Sequence, residues 1–141
     1  MNILLPVDGS DNALKAVRQV IAMKDQYREP IAVNLLNVQS PVASGAVKMF
    51  ISQQQLNDYY REEGMKVLAP ARELLDKEGV AYEHHIGVGD IAATIADYSK
   101  DKRCQQIVMG ARGSGGFVGA LLGSTATRVA QLAEVPVTLI K

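Results

Sequence analysis

Short apolar runs alternate along this chain with longer segments whose apolar residues recur at helical spacing. After the run Ile3 to Val7, for example, Ala13, Val17 and Val20 recur with polar residues between them. The apolar runs occupy residues 3–7, 31–38, 80–86, 106–109 and 135–140, and the helical periods occupy 13–21, 53–78, 91–98 and 126–133. This alternation predicts a β-α-β-α-β-α-β-α-β order, an α/β fold in which right-handed crossovers build a parallel sheet with helices on both faces.

Polar and turn-forming residues mark the ends of several segments. Ser10 or Asp11 can cap the first helix, and Asp90 can cap the third. Pro70 lies inside the second helical period, where it is expected to kink the helix or to split it. Residues 39–51 carry Ser, Gly and Pro without a clear period, which predicts a loop.

Composition narrows the class of protein. The 141 residues are near the commonest size for a domain, so a single domain over residues 1–141 is expected. Lys plus Arg and Asp plus Glu both number 15, which argues against a protein that coats nucleic acid or an acidic membrane. The single cysteine excludes an intrachain disulfide, and no apolar run reaches the ~18 residues of a membrane span. With no secretory signal pattern at the start, we expect a cytoplasmic protein without membrane insertion.

Ligands of such sheets bind beyond the carboxyl ends of the strands, where the strand order reverses. Two segments meet that condition, residues 8–11 after the first strand and residues 110–125 after the fourth. The second segment is rich in glycine and leads from an apolar run into a helical period. We therefore expect the site to include both segments.

The glycine-rich segment has the composition of a phosphate-binding loop. Gly110 and Gly113 lack Cβ atoms, so their backbone can approach a ligand closely and adopt positive φ. Gly123, Ser124 and Thr125 lie at a helix start, where free N–H groups, the helix dipole and two hydroxyl groups favour an anion. Such N–H groups bind phosphate without net positive charge on the protein. The alternative is that these glycines only make a flexible loop and a tight helix entry.

The spacing Gly110-x2-Gly113-x9-Gly123-Ser124 resembles the G-2x-G-9x-G-(S/T) nucleotide motif of the universal stress protein family. Residues 3–10 are similar to that family's first strand and aspartate turn. The resemblance covers nearly the whole chain, in the order and spacing that the family shows.

Two further strands carry the resemblance, at residues 106–110 and 135–140. It implies a Rossmann-like, adenine nucleotide alpha hydrolase-like fold, an open five-stranded parallel sheet of order 3-2-1-4-5. It also implies a homodimer, formed through the last strand at residues 135–141. An apolar edge strand there would invite a partner strand.

The resemblance implies a ligand and the residues that hold it. Family members with this motif bind ATP between the ends of strands one and four. AMP or ADP would be alternatives here, and Mg²⁺ or Mn²⁺ would be held by the phosphates and not by side chains. By similarity, the residues at the nucleoside are Pro6, Val7 and Asp8, the backbone at adenine is that of Val38, and the residues at ribose and phosphates are Met109, Gly110, Arg112, Gly113, Gly123, Ser124 and Thr125.

Several polar residues have two interpretations. Asp8 can orient a ribose hydroxyl or an adenine nitrogen, or it can only cap the first helix. Arg112 can pair with a phosphate or face solvent. His84 and His85 are adjacent on a strand, so we expect one to face the helices and the other solvent, an arrangement that disfavours a shared metal site. Cys104 is expected to be a small, partly buried residue.

These observations favour an ATP-binding regulatory protein of the stress response, acting on an unidentified protein partner, over an enzyme. Efficient phosphoryl transfer needs a metal-holding acid, a water-positioning group and a charge stabiliser, and beyond Asp8 and Arg112 the two segments supply few such groups. The sequence does not exclude slow ATP hydrolysis. An adenylating enzyme is disfavoured by the short acidic turn at residues 8–11, and a flavin carrier by the lack of stacking aromatics other than Phe117. The main alternative is a dimer that binds a partner without nucleotide.

Overall fold

The computed structural model describes residues 1–42, 45–113 and 121–141, and only the backbone of Val47 and Lys48. Within these ranges the strands are β1 Asn2–Pro6, β2 Ala32–Gln39, β3 Ala81–Val88, β4 Gln106–Gly110 and β5 Val137–Ile140, and the helices are α1 Asp11–Met23, α2 Gly45–Phe50, α3 Gln53–Lys77, α4 Ile91–Asp101 and α5 Ser124–Leu132. The strands form one parallel sheet of order β3-β2-β1-β4-β5. The predicted fold is confirmed, including its strand order.

The central strands are buried on both faces, which explains their continuous apolar runs. Ile3 and Leu5 of β1 pack with α1 and α3, whereas Leu4 packs with α4 and α5 on the opposite face. Each of these helices contributes its own buried apolar stripe, as the helical periods predict. None of the helices in the described ranges is long and apolar enough to cross a membrane.

Side chains close the amino ends of three helices. The Ser10 hydroxyl accepts a hydrogen bond from the Ala13 N–H of α1 at 3.2 Å. Ser52 and Asp90 close α3 and α4 in the same way. Gly123 precedes α5, and no side chain of the described residues caps that helix.

The expected loop between β2 and β3 was wrong, and so was one of the two alternatives for Pro70. Residues 39–51 are not a loop throughout, because β2 continues to Gln39 and α2 occupies Gly45–Phe50. Pro70 does not split the second helix, since α3 runs unbroken through it. An interior proline costs a helix roughly 3 kcal/mol, but Leu68 and Ala71 are fully buried on either side and hold the helix against the sheet.

Candidate functional site

A cavity of about 240 Å³ lies between the carboxyl ends of β1, β2 and β4 and the start of α5. It is next to the place where the strand order reverses, between β1 and β4. Every residue that the resemblance assigns to the nucleotide lines this cavity: Pro6, Val7, Asp8, Val38, Met109, Gly110, Arg112, Gly113, Gly123, Ser124 and Thr125. The structure therefore brings the predicted residues together, and their contact with a nucleotide stays a prediction. Residues 114–120 of the glycine-rich segment lie outside the described ranges.

One part of the cavity is apolar. Leu36, Ile95 and Met109 line it and belong to the buried cluster beneath α4 and α5, and Val38 and Ile91 pack against that cluster. None of these side chains carries a strong hydrogen-bonding group. This part therefore suits an aromatic base better than a charged group.

The other part is polar and is built around Asp8. The Ser10 N–H donates a hydrogen bond to Asp8 Oδ1 at 2.9 Å, which folds the turn between β1 and α1. Asp8 Oδ2 faces Gly113, where an added Cβ would lie only 2.6 Å from that oxygen. The turn after β1 thus meets the segment after β4. Arg112 is exposed beside Gly113 and is the one cationic side chain among the described lining residues.

Close packing, and not an unusual backbone, requires glycine in this segment. Positive φ angles among the described glycines occur at Gly9, Gly79 and Gly89. The expectation of positive φ at Gly110 and Gly113 was therefore wrong. A Cβ at Gly110 would lie 3.0 Å from the backbone carbonyl carbon of Asn12, so glycine there lets the start of α1 approach β4.

The amino end of α5 faces the same cavity. Its first two residues, Ser124 and Thr125, line the cavity beside Gly123. The Gly123 N–H donates to the Ala111 carbonyl at 2.7 Å, which fixes the entry to the helix. With no side-chain cap from the described residues, the helix N–H groups and dipole favour an anion here.

The sequence analysis missed the lining residues Ser10, Ala13, Leu36, Ile91, Ile95 and Ala126. The spacing of apolar residues in the sequence could have indicated three of these six, Leu36, Ile91 and Ile95. Leu36 is two residues before Val38 on one strand, so the two side chains share a face. Ile91 and Ile95 are four residues apart and share a face of α4. That this face of α4 covers the end of β2 is a tertiary fact that spacing alone does not give.

A second polar cluster lies away from the cavity, on the α4 face of β1, β2 and β3. Its centre is the buried Asn34, whose Nδ2 donates to Asn2 Oδ1 at 2.7 Å and to Cys104 Sγ at 3.7 Å. His85 Nε2 lies 3.1 Å from Asn34 Oδ1 and, since that oxygen accepts, acts as the donor. Burial raises the pKa of the Cys104 thiol. Burial and the nearby Lys102 lower the pKa of His85.

The remaining expectations for these residues are met. His84 is exposed, while His85 packs on α4 with its ring centroid 5.7 Å from that of Tyr98. Cys104 is buried. Across the part of the chain that the structure describes, no group of three or more His, Cys, Asp or Glu residues could hold a metal ion.

Comparisons with known proteins extend over the whole chain. The model of the universal stress protein family matches residues 1–141. Universal stress protein MJ0531 of Methanocaldococcus jannaschii is 30% identical over 140 residues, 99% of this chain and 81% of that protein. The solved structure of hypothetical protein MJ0577 has a TM-score of 0.85 and 27% identity, covering 99% of this chain and 94% of that one. The universal stress protein from Archaeoglobus fulgidus in complex with dAMP has a TM-score of 0.68 and 25% identity, covering 100% and 98%.

Proposed function

This chain belongs to the universal stress protein family, and we propose that it binds an adenine nucleotide in the cavity between β1 and β4. The proposed ligand is ATP, with AMP and ADP as alternatives, and Mg²⁺ or Mn²⁺ would be held by its phosphates. The apolar part takes adenine, and the polar part with the start of α5 takes ribose and phosphates. The complex of the Archaeoglobus fulgidus relative with dAMP supports this class of ligand.

The observation that carries the proposal is the close approach of Asp8 to Gly113. It puts a carboxylate, an acceptor for ribose hydroxyls, beside the backbone of Gly113 in the segment whose N–H groups would donate to phosphate. The cavity volume of about 240 Å³ lies just below the roughly 300–1,000 Å³ of small-molecule sites. It therefore takes the nucleoside, while the phosphates extend along the glycine-rich segment.

Regulation by occupancy is the proposed role, not catalysis. Among the described lining residues Asp8 is the one carboxylate and Arg112 the one cation. Efficient phosphoryl transfer combines more groups than these, so any hydrolysis would be slow. Nucleotide binding would instead bias the geometry of a dimer or the binding of a protein partner. The proposed location is the cytoplasm, as composition suggests.

The first test is to denature freshly purified protein and identify any released small molecule by chromatography and mass spectrometry. An adenine nucleotide at about one per chain is expected, and an empty protein without a thermal shift in Mg-ATP would reject the proposal.

A matched pair of variants locates the site. Gly113→Ala should displace Asp8 Oδ2 and weaken ATP binding about tenfold, whereas Gly45→Ala, which meets open space, should not change it. Equal losses in both variants would contradict the assignment.

A homodimer through residues 135–141 is also proposed. β5 pairs with β4 on one side, and no strand of the described residues pairs on its other side. Such an edge favours a second copy of the same strand. Light scattering should give twice the chain mass of 15.2 kDa. Thr138→Lys should shift the protein toward monomer, while Gln131→Lys on exposed α5 should not, and a dimer insensitive to both would exclude this edge.

Partner binding without nucleotide is favoured by one surface. Met49 and Phe50 of α2 are 84% and 86% exposed, the most exposed large apolar side chains among the described residues. Neighbouring apolar residues form a groove lined by Val42, Ile51, Leu56 and Tyr59. Exposed apolar groups of this kind mark interaction surfaces. An empty protein would leave this second function as the better supported one.

A further inference from the structure

Asn37 of β2 links the ends of two strands without lining the cavity. Its side chain is 4% exposed, and its Nδ2 donates to the Val7 carbonyl at 2.9 Å. The Val7 N–H in turn donates to the Leu36 carbonyl at 2.8 Å. Strand pairing between β1 and β2 ends at Pro6 and Leu36, so the Asn37 side chain continues it one residue further.

The amide of Asn37 is itself held from the α3 side. Gln39 Nε2 donates to Asn37 Oδ1 at 3.3 Å and to the Tyr60 carbonyl of α3 at 2.8 Å. The Tyr60 hydroxyl accepts from the Val42 N–H at 2.8 Å. Both the Nδ2 and the Oδ1 atoms of Asn37 therefore have hydrogen-bond partners. Rotation of the side chain would break one of these bonds, and losing a buried hydrogen bond costs free energy.

Val7 itself lines the cavity, and each of the two bonded residues is followed in sequence by a cavity residue. Val7 precedes Asp8, and Asn37 precedes Val38. Fixing the Val7 carbonyl fixes the peptide plane that leads into Asp8, because the peptide unit is rigid. We propose that Asn37 is a positioning residue for the nucleoside end of the cavity, acting through Val7 on Asp8; this inference rests on the proposed nucleotide function.

A merely structural asparagine would stabilise the fold and leave ligand affinity alone. Asn34 supplies the matched control. It is also buried and hydrogen-bonded on β2, but its side chain faces the α4 side of the sheet, and none of its hydrogen bonds is to Val7 or to a lining residue. Any affinity loss common to both variants would therefore reflect loss of stability and not positioning.

The experiment compares Asn37→Ala with Asn34→Ala by calorimetric titration. Both variants should melt at lower temperature than the wild type. ATP and adenosine should bind about tenfold more weakly to Asn37→Ala and less than about twofold more weakly to Asn34→Ala. Inorganic triphosphate, which has no nucleoside, should bind both variants alike. Equal affinity losses in the two variants, or none in Asn37→Ala, would overturn the proposal.

A second readout needs no ligand. Hydrogen exchange of the Ser10 N–H reports on the Asp8 carboxylate that accepts from it. This exchange should be at least about tenfold faster in Asn37→Ala than in Asn34→Ala. If the wild type bound no adenine nucleotide, the proposed function would fail, while this exchange would still decide whether Asn37 positions Asp8. If Asn37→Ala does not fold, Gln39→Ala, which removes the hydrogen bond to Asn37 Oδ1 together with the one to the Tyr60 carbonyl, should show the same pattern with a smaller change.

Discussion

The cluster around Asn34 and the cavity around Asp8 are both polar, yet they use their hydrogen-bonding groups in opposite ways. Around Asn34 the groups satisfy one another: Asn2 Nδ2 donates to the Lys102 carbonyl at 2.8 Å, and Asn34 joins Asn2 to His85. Around Asp8, one carboxylate oxygen accepts from the Ser10 N–H, and the residue lines a cavity together with a helix end that no described side chain caps. One cluster is closed and the other is open.

The difference separates polar groups that stabilise the fold from polar groups that could bind a ligand. Buried polar groups that pair with one another specify how the strands and helices fit, and they need nothing from outside. In the described residues no buried side-chain nitrogen or oxygen lacks a partner. The backbone N–H groups at the start of α5 lie instead at a cavity, where a ligand could accept their hydrogen bonds. Changes at the open cluster should alter affinity, and changes at the closed cluster should alter stability.

The largest effect is expected for Gly113→Val. The Cβ of a valine at this position would lie 2.6 Å from Asp8 Oδ2, so the side chain would displace the carboxylate. ATP affinity should therefore fall at least about a hundredfold. The melting temperature should change little, because Gly113 is exposed and has no positive φ. Gly79→Val is the control: its φ of +67° strains any side chain, so stability should fall by about 1–2 kcal/mol with affinity intact. Unchanged ATP affinity in Gly113→Val would exclude the assigned site.

Asp8→Ala should weaken ATP binding about tenfold, or ~1.4 kcal/mol, because the cavity loses its carboxylate acceptor. Unfolding should become easier by less than about 1 kcal/mol, since the Ser10 N–H loses its partner. Asp11→Ala removes the same charge from the first turn of α1, outside the cavity, and should leave affinity unchanged. A loss of stability without a loss of affinity would reduce Asp8 to a turn residue.

Asn2→Ala tests the closed cluster. It removes the acceptor of Asn34 Nδ2 and the donor to the Lys102 carbonyl, so the free energy of unfolding should fall by about 1 kcal/mol. Chemical denaturation measures this change, and a titration with ATP should show no loss of affinity. A tenfold weaker affinity in this variant would contradict the separation between the two clusters.

The smallest effect is expected from protonation of His85. Its pKa in the folded protein lies below the ordinary 6.5, because burial and Lys102 disfavour the charged ring. The resulting stabilisation is complete above pH 6.5 and is lost as the pH falls through the lowered pKa of the folded state. The free energy of unfolding should therefore decrease on acidification below neutral pH. His85→Gln should flatten this dependence, and an unaltered pH profile would show that another group titrates.

The fold could be predicted because its signals are local. The apolar runs of β1 and β2 correspond to strands buried on both faces, and Asp90 caps α4 as its position suggests. The errors came where tertiary packing decides. Pro70 is tolerated because the rest of α3 is anchored against the sheet, and α2 is too short to show a helical period.

The sequence predicted which residues line the cavity but not how they pack against one another, and their role at a nucleotide stays a prediction. The motif spacing pointed to Gly113 and the strand end to Asp8, and both line the cavity. That the two residues lie against each other depends on the pairing of β1 with β4, about a hundred residues apart in sequence. The packing of Gly110 against Asn12 is equally long-range, which is why the sequence indicated close approach to a ligand there and not close packing on α1.

The apolar part of the cavity also governs how this protein would choose among competing nucleotides. Its described side chains, such as Leu36 and Ile95, make no strong hydrogen bonds, so a different base would leave none of them with a lost partner. Discrimination by shape in an apolar pocket is worth only about 1–3 kcal/mol. If the proposed nucleotide binding holds, occupancy would follow the relative concentrations of the purine nucleotides in the cell.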